Sequence, residues 1–133
     1  MVRVIDGDTI VVAGVGKVRY LGIDTPELHH PRLPVQRFAR RAARANAGLV
    51  LGRRVALVTD RERRDAYGRL LAYVYRGRTM VNALLVRRGL ARAFPFRPNT
   101  RHARLFARLE REAQTRRVGQ WGDAEGGPPW GRP

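Results

Sequence analysis

The sequence contains no cysteine, which excludes disulfide bonds and thiolate-bound metals. It holds a single lysine, Lys17, and only 11 Asp and Glu against 27 Lys and Arg. It also lacks any apolar run near the roughly 18 residues that a membrane span requires, so no span is expected. The opening MVRVIDGDTI enters a strand pattern at once, so no signal peptide is expected within this chain, and composition leaves its compartment open.

What is present is a chain of 133 residues, 44% hydrophobic, which suits one compact domain and leaves no room for a second of ordinary size. The formal net charge of +16 favours a polyanionic partner. Nucleic acid is the first candidate, because each neutralised phosphate releases condensed counterions. An anionic lipid surface is the competitor. Arginine suits bidentate phosphate contact better than lysine, although a GC-rich coding sequence accounts for most of the preference.

Val2 to Ile5 and Thr9 to Val12 are β-branched runs separated by Asp6-Gly7-Asp8, which reads as strand, tight turn, strand. A third strand is expected over Val18 to Ile23, ending at Asp24. Residues 25 to 36, with Pro26, Pro31 and Pro34, read as a loop. From Gln36 to Val50, Phe38, Ala42, Ala45 and Leu49 fall at helical spacing, while Arg37, Arg40, Arg41 and Arg44 take other faces. Two further strands, Val55 to Thr59 and Leu70 to Tyr75, flank the charged stretch DRERRDAYGR. A second helix is expected over Met80 to Arg88 with Gly89 as its C-terminal signal, and a third is expected to start at Asn99 as N-cap and stop before Gly119. The Gly- and Pro-rich residues 122–133 read as a flexible tail to a domain spanning 1–121. The expected class is α+β, a small five-stranded antiparallel barrel with three helices packed outside.

Asp6 and Asp8 sit in a tight turn, and Asp24 ends a strand that neighbours it in a compact barrel. Carboxylates converging from two strand ends point to a hard cation, although Asp-Gly-Asp alone is also an ordinary turn. Arg19 precedes Asp24 on the same strand, and Arg69 follows Tyr67-Gly68 at the start of another. Arginines flanking a carboxylate site suggest a phosphate clamp. His29, His30 and His102 have no metal-ligand spacing and read as surface residues.

At these residues the chain resembles the thermonuclease family, the relatives of staphylococcal nuclease. The matching segments are VIDGDT, VRYLGIDTPE, DAYGRLLAYVY, MVNALLVRRGLARA and RPNTRHARLFARLEREA, running from about Val2 to Trp121. The resemblance implies an OB-fold, one calcium ion, and monomeric hydrolysis of DNA and RNA. Single strands would be preferred, with little sequence specificity and with 3'-phosphate products. It implies a secreted or periplasmic setting. By position, Asp8, Asp24 and the backbone carbonyl of Thr25 would ligate the ion, with Asp6 standing behind them. Glu27 would act as general base or position the attacking water, and Arg19 and Arg69 would stabilise the transition state. Asp65, Tyr67, Phe94 and Phe96 would lie against the nucleotide. Phe94 and Phe96 stand where the best-known member has tyrosines, so stacking is kept and phenolic hydrogen bonds are lost. The alternative is a non-catalytic OB-fold module that only binds nucleic acid, which the presence of Asp8, Asp24, Glu27 and both arginines argues against.

Overall fold

The computed structural model describes residues 2–28 and 33–122, and of residues 33–37 the backbone alone. Strands β1 (Val2–Asp6) and β2 (Thr9–Val12) pair antiparallel, with the register shifting between Val4 and Asp6. Strand β3 (Gly16–Tyr20) continues antiparallel on β2. A left-handed Gly22, with φ of 78°, then turns the chain away, so the strand expected from Val18 to Ile23 is broken. Its remainder is a two-residue β4 (Ile23–Asp24). A Cβ on Gly22 would fall 2.5 Å from the Phe106 ring, so only glycine both turns here and lets that ring pack.

Helix α1 (Leu33–Val50) begins inside the stretch expected to be loop. Pro34 is its second residue, where the missing N–H breaks no hydrogen bond, so the proline opens the helix rather than excluding it. Strands β5 (Ala56–Val58), β6 (Leu70–Arg76) and β7 (Thr79–Met80) follow, then α2 (Val81–Arg87), β8 (Arg92–Ala93), α3 (Ala103–Arg116) and a 3-10 turn at Gly119–Gly122. The expected tail lies outside the described residues from 123 onward, as do His29 and His30.

The main sheet has the order β1-β2-β3-β6-β5 with β7 at the side of β6, while β4 and β8 form a separate pair. Two corrections to the five-stranded antiparallel barrel follow. Strands β3 and β6 run parallel, pairing Val18 with Leu70 and Arg19 with Leu71. Among the described residues no pairing joins β5 back to β1, so the path is open. The α+β class stands, with three α-helices among the described residues.

Apolar side chains from the inner faces meet in one core that includes Ile10, Val18, Tyr20, Ile23, Val74, Leu85 and Phe106. Three buried asparagines tie the layers together. Asn82 on α2 accepts from Val74 N–H at 2.9 Å and donates to the carbonyls of Leu21 at 2.9 Å and Ala72 at 3.4 Å. Asn46 on α1 accepts from the Tyr20 hydroxyl at 2.6 Å and donates to the Asp6 carbonyl at 2.9 Å. Asn99 is not an N-cap: its amide accepts from Glu62 N–H at 2.7 Å and donates to the Glu62 carbonyl at 2.8 Å, and α3 starts four residues later, after His102. Replacing Asn82 with alanine leaves backbone groups unsatisfied at 0% exposure. The expected loss is about 2 kcal/mol of stability, read by urea denaturation, and a change under about 0.5 kcal/mol would show that water replaces the amide.

Candidate active site

The turn between β1 and β2 is wedged against α1. Gly7 lies so close that a Cβ there would stand 2.7 Å from both Ala42 Cβ and Thr25 Oγ1. This packing presents Asp8, whose Oδ1 accepts from the Thr9 hydroxyl at 3.1 Å and whose Oδ2 accepts from Thr25 N–H at 3.0 Å. Asp6 stands behind, accepting from Asp8 N–H at 3.1 Å.

Arg19 draws the two strand ends together. Its Nη1 donates to the carbonyls of Tyr20 at 2.7 Å and Ile23 at 3.0 Å, the two ends of the β3–β4 corner. Its Nη2 lies 3.3 Å from Asp8 Oδ2 and 3.4 Å from Asp24 Oδ1. Arg92 on β8 holds the other Asp24 oxygen, with Nε and Nη2 each at 3.2 Å.

Positive charge is nevertheless short in this corner. Burial and the neighbouring Asp8 push the Asp6 carboxyl up to about 7. Burial first, and then Asp8, raise the Asp24 carboxyl above its ordinary value in spite of Arg19 and Arg92. Thr25 Oγ1 is buried with no hydrogen-bond partner among the described residues. Two convergent carboxylates beside an unsatisfied oxygen fit a hard cation that takes oxygen ligands in a flexible shell. Among the described residues no cluster of three or more Asp, Glu, His or Cys is poised around one point, so carbonyl oxygen and water would complete such a shell.

Across Arg19 from the carboxylates lies a cleft of about 140 Å³ lined by Arg19, Gly22, Asp65, Arg69, Phe94 and Phe96 among others. Asp65 is tied to Arg69 beside it. Its Oδ1 accepts from the N–H groups of Tyr67 at 3.0 Å and Arg69 at 2.9 Å, and its Oδ2 takes Arg69 Nε at 2.7 Å. The Tyr67 ring lies 5.6 Å from the Arg69 guanidinium and is 85% exposed, so it does not pack the sheet edge. Phe94 and Phe96 are 43% and 38% exposed, more than ordinary core aromatics allow.

Burial raises the Asp65 pKa, but the Arg69 side chain, first among the opposing contacts, and the backbone donors outweigh it and hold the carboxyl below its ordinary value. Its folded pKa is therefore the lower one. The stabilisation is complete above the unfolded carboxylate pKa of about 3.9 and is lost as pH falls through the folded value. The expected result is that Asp65→Asn flattens the loss of stability below pH about 4 relative to the parent chain, seen in thermal melts. Parallel melting curves would mean that other carboxylates govern the acid limb.

Of the residues singled out in the sequence, Arg19, Arg69, Asp65, Phe94 and Phe96 meet in one cleft, and Asp8 and Asp24 adjoin it through Arg19. Thr25 touches Asp8 through its backbone N–H. Glu27 is exposed and outside the cleft lining. Sequence reasoning missed Arg92, whose guanidinium also lies 5.1 Å from the Phe94 ring. The two-residue spacing of Arg92, Phe94 and Phe96 was the available signal, since extended chain puts alternate residues on one face.

A family model described as staphylococcal nuclease homologue matches residues 17–123. The chain is 42% identical to the thermonuclease of Staphylococcus intermedius over 122 residues, 90% of this chain and 73% of that protein. It is 39% identical to the thermonuclease of Staphylococcus hyicus over 124 residues, 91% of this chain and 73% of that one. It is also 44% identical to endonuclease YncB of Bacillus subtilis (strain 168) over 124 residues, 90% of this chain and 59% of that protein.

Proposed function

The chain belongs to the staphylococcal nuclease homologue family, and from that membership we propose that it is a calcium-dependent nuclease. It hydrolyses phosphodiester bonds of DNA and RNA with little sequence specificity, prefers single strands and leaves 3'-phosphate ends. The observation that carries the reading is the cleft in which Arg19 and Arg69 face one space, with Arg19 also bridging Asp8 and Asp24.

Asp8, Asp24 and the Thr25 carbonyl would hold the calcium ion. When bound, it would polarise a phosphate oxygen and lower the pKa of a coordinated water. The chain's own residues do the rest. Asp65 occupies Arg69 Nε and so aims the guanidinium, whose terminal nitrogens take the charge that builds on the phosphoryl oxygens. Glu27 is assigned to the attacking water, as the base that takes its proton or as the group that orients it. The new bond is water oxygen to phosphorus. The bond to the 5'-oxygen breaks, and that oxygen leaves with a proton, which leaves the phosphate on the 3' side. Tyr67, Phe94 and Phe96 present exposed rings on which unpaired bases stack without regard to identity. The strand path, five main strands left partly open, supports reading the sheet as an OB-type barrel.

The test is incubation of the pure protein with single-stranded DNA in calcium, in magnesium and in chelator. Calcium is expected to support cleavage, magnesium much less, and chelator none, because carbonyl and water ligands around few carboxylates suit the larger ion. Equal rates in both metals would remove calcium from the assignment. Retarded but intact DNA in calcium would favour the binding module instead.

A further inference from the structure

Between Leu28 and Thr59 the sequence holds seven arginines and not one Asp or Glu. Helix α1 lies inside this stretch. Its Phe38, Ala39, Ala42, Asn46, Leu49 and Val50 are buried, whereas Arg40, Arg41 and Arg44 are exposed on the opposite side. Arg40 and Arg44 are one turn apart, where like charges repel. Helix α3 is as rich in arginine but sets Glu112 against Arg108 at 3.9 Å. A coding bias explains why the cations are arginines on both helices. It does not explain why α3 carries acidic residues of its own and α1 carries none.

The inner side of α1 touches the candidate site. Asn46 holds the Asp6 carbonyl at 2.9 Å, and Ala42 closes on Gly7. A helix is about 10 Å across, so the arginine face stands roughly one helix diameter behind the Asp6–Asp8 turn.

We propose that the outward face of α1 is a track for the sugar-phosphate backbone of a nucleic acid strand, outside the cleft, flanking the phosphate that is cut. This rests on the nuclease reading and adds to it a preference for long substrates. An anionic membrane is the weaker occupant. A helix lying on lipid must bury an apolar face in it, and the apolar face of α1 is already spent on the core.

The test uses three triple variants of the full chain: R40Q/R41Q/R44Q, R40K/R41K/R44K, and R104Q/R108Q/R111Q on α3. Affinity for a long single-stranded DNA is measured in chelator across a salt series, and kcat/KM in calcium is measured on the long strand and on a dinucleotide. For the α1 glutamine variant the slope of log K against log salt is expected to shrink by about 2, at about 0.7 per lost phosphate contact. Its kcat/KM is expected to fall on the long strand and to hold on the dinucleotide, which also shows that the fold is kept. The lysine variant is expected to retain the slope, and the α3 variant to change it much less. An unchanged slope in the α1 glutamine variant, an equal fall in the α3 variant, or a fall that persists with lysine would overturn the track. So would binding to phosphatidylglycerol vesicles lost in the glutamine variant while its DNA slope stays whole. A chain that keeps the α1-dependent slope but cuts neither substrate in calcium would sink the nuclease reading and leave the track standing.

Discussion

Arg69→Ala is expected to lower turnover on single-stranded DNA by at least about a hundredfold, the scale on which a single transition-state donor acts. The melting temperature should hardly move. Asp65 keeps its two backbone donors, Tyr67 N–H and Arg69 N–H, whatever the side chain at 69, so the loop stays tied. What is lost is a partly exposed ion pair of the kind that contributes about 0–1 kcal/mol. The proposed catalytic role rests on the terminal nitrogens. Nε is committed to Asp65 at 2.7 Å, and among the described residues no hydrogen bond is made by Nη1 or Nη2. Arg69→Lys sharpens the test. One ammonium cannot hold Asp65 and at the same time present a planar pair of donors to a phosphate, so lysine should recover little of the rate. The measurement is steady-state kinetics in calcium. Turnover within a few-fold of the parent in either variant would take Arg69 out of the chemistry and reduce it to an anchor for Asp65.

The same residues show where sequence reasoning succeeds and where it stops. The β1–β2 hairpin is legible because β-branched runs and an Asp-Gly-Asp turn are local signals, and α1 and α2 because amphipathic spacing is local too. The parallel union of β3 with β6 has no such signal. It joins strands separated by a whole helix, and only the packed core decides it. The two-residue β4 and β8 are too short to carry a period, so the corner that brings Asp24 to Arg92 could not be read. Asn99 misled for a physical reason. A side-chain amide that can cap a helix can equally grip a loop, and here Glu62 takes it. That grip matters for the site, because the chain it fastens leads directly to Asp65 and Arg69. The cleft was legible through Arg19, Asp65, Arg69, Phe94 and Phe96 only by matching whole motifs. Periodicity and spacing say nothing about which arginines among so many face one another.

Arg19 carries the second large effect, and its sign differs between two measurements. With Arg19→Ala, turnover should again fall by about a hundredfold or more, since the residue lines the same cleft as Arg69. Calcium affinity should rise. In the parent chain Nη2 sits 3.3 Å from Asp8 and 3.4 Å from Asp24, so a cation arriving at these carboxylates meets a positive charge already there. Removing that charge leaves Asp8, with an 8% exposed side chain, short of a partner that calcium can replace. The same loss should destabilise the metal-free chain, because buried carboxylates without compensation are costly, by about 1–3 kcal/mol. Calcium should return part of that stability through its preference for the folded state. The shift in melting temperature on adding calcium is thus expected to be larger for the variant than for the parent. Titration calorimetry reads the affinity without any substrate. Weaker or unchanged calcium binding in Arg19→Ala, with a folded protein, would mean that the ion does not sit on Asp8 and Asp24. The arginine would then be a structural clamp for the β3–β4 corner, which it also grips through the carbonyls of Tyr20 and Ile23.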